Sequence, residues 1–172
     1  MNDSTFAREL RGAIVQTAEA ASLYEGEATL IRHPWKRSLL LYVSGKLGNI
    51  RRKLERLARN EHIALPDRKI PGQRNRPPLR RDESQACFAY LSLEDIANVV
   101  TGRCTQMRTY YSRRRRQEQD HQTRLLCDAM AGAFGRLSLL IAHASRRLAA
   151  NRRLEQLPSS TADAAPVPSL QA

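Results

Sequence analysis

Residues 92–116, SLEDIANVVTGRCTQMRTYYSRRRR, govern how the rest of this chain is interpreted. Ser92 suits a helix N-cap, because its side-chain oxygen can accept a bond from a free backbone amide. Glu94 and Asp95 then put negative charge on the first turn, where the helix dipole favours it. Ile96, Ala97 and Val100 supply an apolar face. Gly102 offers the backbone freedom of a tight turn. Met107 and Tyr110, three residues apart, resume an apolar stripe as a second helix would. The pattern predicts two short helices joined at Gly102, the second running into Arg113, Arg114, Arg115 and Arg116.

The stretch resembles, residue for residue, the helix-turn-helix of DNA-binding proteins. Ala97 takes the place where that family has a small residue at the helix crossing, and Ile96, Val100, Met107 and Tyr110 take its buried positions. At 100° per residue from Met107, the opposite side carries Thr105, Arg108, Thr109, Ser112 and Arg116. The resemblance implies contact between that side and DNA. An arginine fork can bond a guanine edge, and threonine offers a hydroxyl and a methyl group. Arg103 belongs to the same candidate set, and Arg113 to Arg116 would follow the phosphate backbone. The alternative is a helical hairpin that only packs into a bundle, with the arginine run as a solvated surface.

Charge points the same way. The 172 residues hold 29 Lys+Arg against 17 Asp+Glu, a net charge of +12, so the chain attracts polyanions: nucleic acid or an anionic membrane surface. Arginine outnumbers lysine, which suits phosphate recognition by a planar fork. Cys87, Cys104 and Cys127 form no CxxC pair, and His33, His62, His121 and His143 do not stand at metal-ligand spacing beside them. No metal or cofactor is expected, and a reduced, soluble, cytoplasmic protein is. No signal peptide is visible, and the longest apolar run, Leu39 to Val43, is too short for a bilayer span.

Outside the central stretch, an amphipathic helix is expected from Ser4 to about Leu23, with Phe6, Leu10 and Ile14 four apart, followed by a connector containing Gly26 and Pro34. A long helix is expected from Trp35 to about Arg59. Its Leu39, Val43, Leu47, Ile50, Leu54 and Leu57 form a heptad-like seam, weakened at Gly45 and Gly48 by about 1 kcal/mol each unless a neighbour packs closely there. Ala64 to Arg81, rich in proline and arginine, should be an extended segment. It is either a linker or a basic arm using Arg74, Arg76, Arg80 and Arg81. Asp82 to Leu91 is expected to be helical, giving a three-helix unit with the central motif. Another long helix, Glu118 to about Leu157, carries a second seam from Leu126 to Leu148, before a disordered tail from Pro158. The whole predicts an all-α helical bundle, with residues 1–63 and 82–157 packed as one domain. Two long seams exceed what a three-helix reader needs, which predicts a homodimer.

No enzyme is expected, since there is no phosphate-binding glycine loop, paired-carboxylate pattern or nucleophile grouping. Pro77 to Tyr111 does resemble the C-terminal catalytic stretch of tyrosine recombinases, which would match Arg80 to the catalytic arginine and Tyr111 to the nucleophile. Pro77 stands where that family has histidine, and Thr101-Gly102 replaces a glycine-histidine pair, so the resemblance implies a non-catalytic relative. The functional expectation is a DNA-binding protein, a regulator or a mobile-element accessory factor. The alternative is a helical scaffold that binds nucleic acid by charge.

Overall fold

The computed structural model describes residues 4–66 and 88–155, with main chain alone from 152 onward. It is all-α, and no strand occurs among the described residues. The helices are α1 (Thr5–Leu30), α2 (Pro34–Asn60), α3 (Leu93–Gln117) and α4 (His121–Glu155).

Each helix starts where its sequence supplies a cap. Ser4 Oγ accepts from the Ala7 amide at 3.1 Å. Pro34 occupies the first turn of α2, where its missing N–H costs nothing. Ser92 and Asp95 form a capping box, the Asp95 amide donating to Ser92 Oγ at 3.0 Å and the Ser92 amide to Asp95 Oδ2 at 3.3 Å. At the head of α4, Asp120 Oδ2 accepts from the Thr123 hydroxyl at 2.5 Å and from the Thr123 amide at 2.7 Å, and these two bonds hold the Asp120 carboxyl below its usual range. That cap starts α4 three residues later than Glu118, which instead closes α3 by donating its amide to the Arg114 carbonyl.

Two expected breaks are absent. α1 runs through Gly26 to Leu30 because its buried stripe continues through Thr17, Tyr24 and Ala28. α3 runs unbroken through Thr101-Gly102, so the two-helix motif with a turn is replaced by one continuous helix. The physical reason is phase. Ile96, Val100, Cys104 and Tyr111 are buried on one side, with Met107 half-buried between them. Their three- and four-residue steps cross Gly102 without the reset a turn would bring. Tyr111, not Tyr110, is the buried tyrosine: Tyr110 is 43% exposed and Tyr111 only 2%. The expected helix before α3 is also corrected in part. Phe88 to Tyr90 form a turn, with the Leu91 amide donating to the Phe88 carbonyl at 3.3 Å, while residues 82–87 lie outside the described residues. The Pro-rich stretch from 67 onward and the tail lie outside them too.

Short connectors make α1–α2 and α3–α4 antiparallel hairpins, and long side chains set one hairpin against the other. Arg114 reaches Glu9 at 2.9 Å and Tyr111 reaches Gln16 at 2.8 Å, while Phe88, just ahead of α3, meets Tyr24 with ring centroids 6.3 Å apart. Rising positions on α3 thus meet falling positions on α1, so those two run antiparallel. It follows that α2 and α3 run parallel, and the connection 61–92 joins opposite ends of the bundle. Both heptad-like seams are consumed inside this one chain: Leu39, Leu47, Leu54, Leu126, Phe134 and Ile141 share one core. By length and composition α4 could also cross a membrane, with a mean hydropathy of 1.6 over an 18-residue window, although 39% of that window is buried inside the protein.

A Cβ built at Gly45, Gly48 or Gly102 meets nothing within 4 Å. Alanine at each should therefore stabilise the fold by about 0.5–1 kcal/mol through helix propensity alone. Thermal unfolding should show a rise of roughly 1–4 °C per substitution. A fall for Gly102→Ala would reinstate a turn at that position.

Candidate nucleic-acid interface

α3 distributes its arginines by 100° steps, and neighbouring residues acquire different surroundings. Arg114 points toward α1. Burial disfavours its charge, but Glu9 at 2.9 Å and Glu118 at 3.4 Å more than offset this and hold its pKa above the ordinary value. Arg115 pairs with Asp128 of α4, both side chains more than half exposed. Arg113 and Arg116 are exposed and have no carboxylate partner among the described residues. The run is thus half anchor and half free charge.

The rest of the candidate set divides similarly. Thr105 and Thr109 lie exposed on the outer side of α3, along a shallow hollow of about 470 Å³ shared with Tyr110 and Arg113. The Thr105 hydroxyl donates to the Thr101 carbonyl at 3.0 Å. Arg108 and Ser112 instead lie on the flank facing α4, in a furrow of about 660 Å³ whose far wall includes Gly132, Gly135 and Arg136. A Cβ on Gly135 would stand 3.5 Å from Arg108 Cδ, so this arginine lies across the α4 backbone. Arg103 turns inward over the Phe88 ring at 5.8 Å. Beside it, burial raises the pKa of the Tyr24 hydroxyl while Arg103 opposes that shift. The expected single reading face is therefore three surfaces. Arg74, Arg76, Arg80 and Arg81, the expected arm, lie outside the described residues.

The fold adds a basic group outside the candidate set. Arg52, Arg56 and Arg59 sit three and four apart on the exposed side of α2. Lys36 Nζ donates to the Ala89 carbonyl at 3.2 Å, tying the start of α2 to the approach to α3. From there, Arg56 and Arg113 each lie twenty residues along their parallel helices, counted from Lys36 and Leu93, or ~30 Å at 1.5 Å per residue. Two basic clusters distant in sequence thus occupy one end of the bundle. Arg51 does not join them freely, being tied to Glu55 at 2.6 Å. The signal was available: the outward spacing of 52, 56 and 59 is helical, but their end of the bundle follows only from α2 running parallel to α3.

Tyr111, matched to a nucleophile by the recombinase resemblance, is a core residue. Its hydroxyl donates to Gln16 Oε1 at 2.8 Å and its ring stacks on Phe134 with centroids 6.1 Å apart. Arg80 lies outside the described residues. Among the described residues no group of three or more His, Cys, Asp or Glu is placed to hold a metal. No family model, curated protein or solved structure matches the chain.

Burial pushes the thiols of Cys104 and Cys127 up to about 11, with Glu9 and Glu118 adding to the rise at Cys127 and Arg114 opposing it. A raised acid pKa means the neutral thiol is favoured in the fold. Its stabilising contribution is complete below pH 9, near the ordinary thiol value of 9.0, and is lost as pH climbs toward about 11. Both residues should resist iodoacetamide at neutral pH and label readily in denaturant, as site-resolved mass spectrometry would report. Labelling at equal rates in both conditions would contradict their burial.

Proposed function

We propose that this protein binds nucleic acid, duplex DNA foremost, by gripping phosphates with the basic end of the bundle. The observation that carries this reading is the convergence of Arg52, Arg56 and Arg59 with Arg113 and Arg116 at one end. None of these five has a carboxylate partner among the described residues. Arg52 Nη2 donates to the neutral Asn49 side-chain oxygen, which leaves its charge uncompensated, and each phosphate contact made by such guanidinium groups releases condensed counterions. Thr105 and Thr109 add hydroxyls on the adjoining side of α3.

The same geometry favours binding with little choice of sequence. Arg108, the residue best suited to a base edge in a two-helix motif, lies along α4 rather than projecting from a short recognition helix. α3 has one side locked in the core along its length. A role as an architectural or accessory factor on DNA fits this arrangement better than reading a single operator.

Fluorescence anisotropy with labelled duplexes at several salt concentrations tests the reading. Joint Arg113→Ala and Arg116→Ala substitution should weaken AT-rich and GC-rich duplexes alike. The slope of log affinity on log salt should flatten by about 0.9 per lost phosphate contact. Arg52→Ala with Arg56→Ala should act the same way. Arg108→Ala should change affinity by less than about threefold, well under the 1–3 kcal/mol of a lost base contact. Unchanged slopes in both double variants, or loss of a sequence preference in Arg108→Ala, would overturn the proposal.

A further inference from the structure

α4 buries one apolar side in the core and carries exposed leucines among charged and small residues on the other. Leu126, Met130, Phe134, Leu137 and Ile141 face the core. Opposite them run Leu125, Ala129, Gly132, Arg136, Leu139 and His143, at alternating steps of four and three residues. This outer side is a second heptad-like seam on the same helix, with Leu139 73% and Leu125 57% exposed.

The outer seam is complementary to itself when reversed. Turning a second α4 antiparallel about Gly132 brings Leu125 onto Leu139, Asp128 onto Arg136, and Gly132 onto Gly132. The leucine contact and the charge contact each occur twice, as an isologous two-fold interface requires. The Arg136 guanidinium lies over this glycine, its Nη1 3.4 Å from where a Cβ would stand, and its turn toward the partner's carboxylate would bare Gly132 for close approach of the two backbones. Asp128 shares its Oδ1 with Arg115, and both groups are more than half exposed, so that pair is weakly held. Oδ2 remains to accept from an incoming guanidinium, and Arg136 has no carboxylate of its own among the described residues.

We propose that a second copy of this chain docks on the outer side of α4, forming an antiparallel two-fold dimer centred on Gly132. This surface differs from the two seams that first suggested a dimer, both of which are buried within one chain. The competing occupant is a bilayer, since α4 is long and apolar enough. Arg136 stands on this face and Asp128 at its edge toward α3, four residues either side of Gly132, where hydrocarbon tolerates charge poorly and a partner of inverse pattern tolerates it well.

Sedimentation velocity of the full chain at low micromolar concentration should show a dimer. Leu139→Glu, on an already exposed position, should leave the circular dichroism unchanged and weaken dimerisation by about a hundredfold or more, because the charge enters the interface twice. Asp128→Arg and Arg136→Asp should each weaken the dimer, and the double variant should recover it by inverting the pair. Gly132→Cys chains should crosslink to one another under mild oxidation, whereas Gly45→Cys chains, altered on the open side of α2, should not. A chain that stays monomeric at tens of micromolar overturns the proposal. So does a dimer indifferent to Leu139→Glu and without the position-132 crosslink. Co-sedimentation of a monomeric chain with anionic phospholipid vesicles, abolished by Leu139→Glu, would reassign the face to membrane.

Discussion

Tyr111 is held from two sides at once, by a ring stacked on Phe134 of α4 and a hydroxyl bonded to Gln16 of α1. The residue is almost wholly buried, so a slip of α3 by one position would turn the ring by 100° and strand its polar end. This contact therefore fixes the register of α3 against both hairpins. Arg114 follows one turn later, in reach of Glu9 at the start of α1. The antiparallel sense of α1 and α3 is thereby set. α2, antiparallel to α1, must then finish where α3 finishes, and both arginine clusters arrive at the same end.

The consequence for charge is a division of labour among identical side chains. Of the four consecutive arginines, Arg114 is held by Glu9 of α1 at a part-buried contact, and Arg115 pairs with Asp128 of α4 at the surface. Arg113 and Arg116 project outward because the helix carries them away from the core. A count of basic residues overstates what is available to a polyanion, since Arg51, Arg114 and Arg115 already have carboxylates. The useful charge is what remains after the fold has taken its share.

Much of the bundle was legible from apolar spacing. The N-cap at Ser92, the span of α2 and the second long seam in α4 follow from local chemistry. The turn at Gly102 did not survive because glycine licenses a turn without requiring one. The deciding signal was Cys104. Taken as apolar, it links Val100 to Met107 and Tyr111 in steps of four, three and four, and the stripe passes Gly102 unbroken. With Tyr110 in the stripe the phase shifts by 100° and a continuous helix resembles two; with Tyr111 it remains one. Gly26 likewise does not end α1, because Tyr24 and Ala28 carry the buried stripe past it.

The site was less legible, for a reason that concerns topology more than residue type. Whether Arg56 and Arg113 are neighbours or lie at opposite ends depends on whether α2 and α3 run parallel, and no local pattern specifies that. It is specified by contacts spanning about a hundred residues, Gln16 with Tyr111 and Glu9 with Arg114. The outer side of α4 shows the same dependence. Leu125 and Leu139 acquire meaning only once Leu126 and Ile141 are known to face inward, because a helix this apolar has two seams to choose from. The core selects the larger residues, Met130, Phe134 and Ile141, and leaves the smaller, charge-bearing seam outside. An antiparallel pair through that seam would place one basic end at each tip, since α4 begins at the end where Arg113 and Arg116 lie. If those ends grip phosphates as proposed, two of them held apart on one particle would contact a duplex at two separated points.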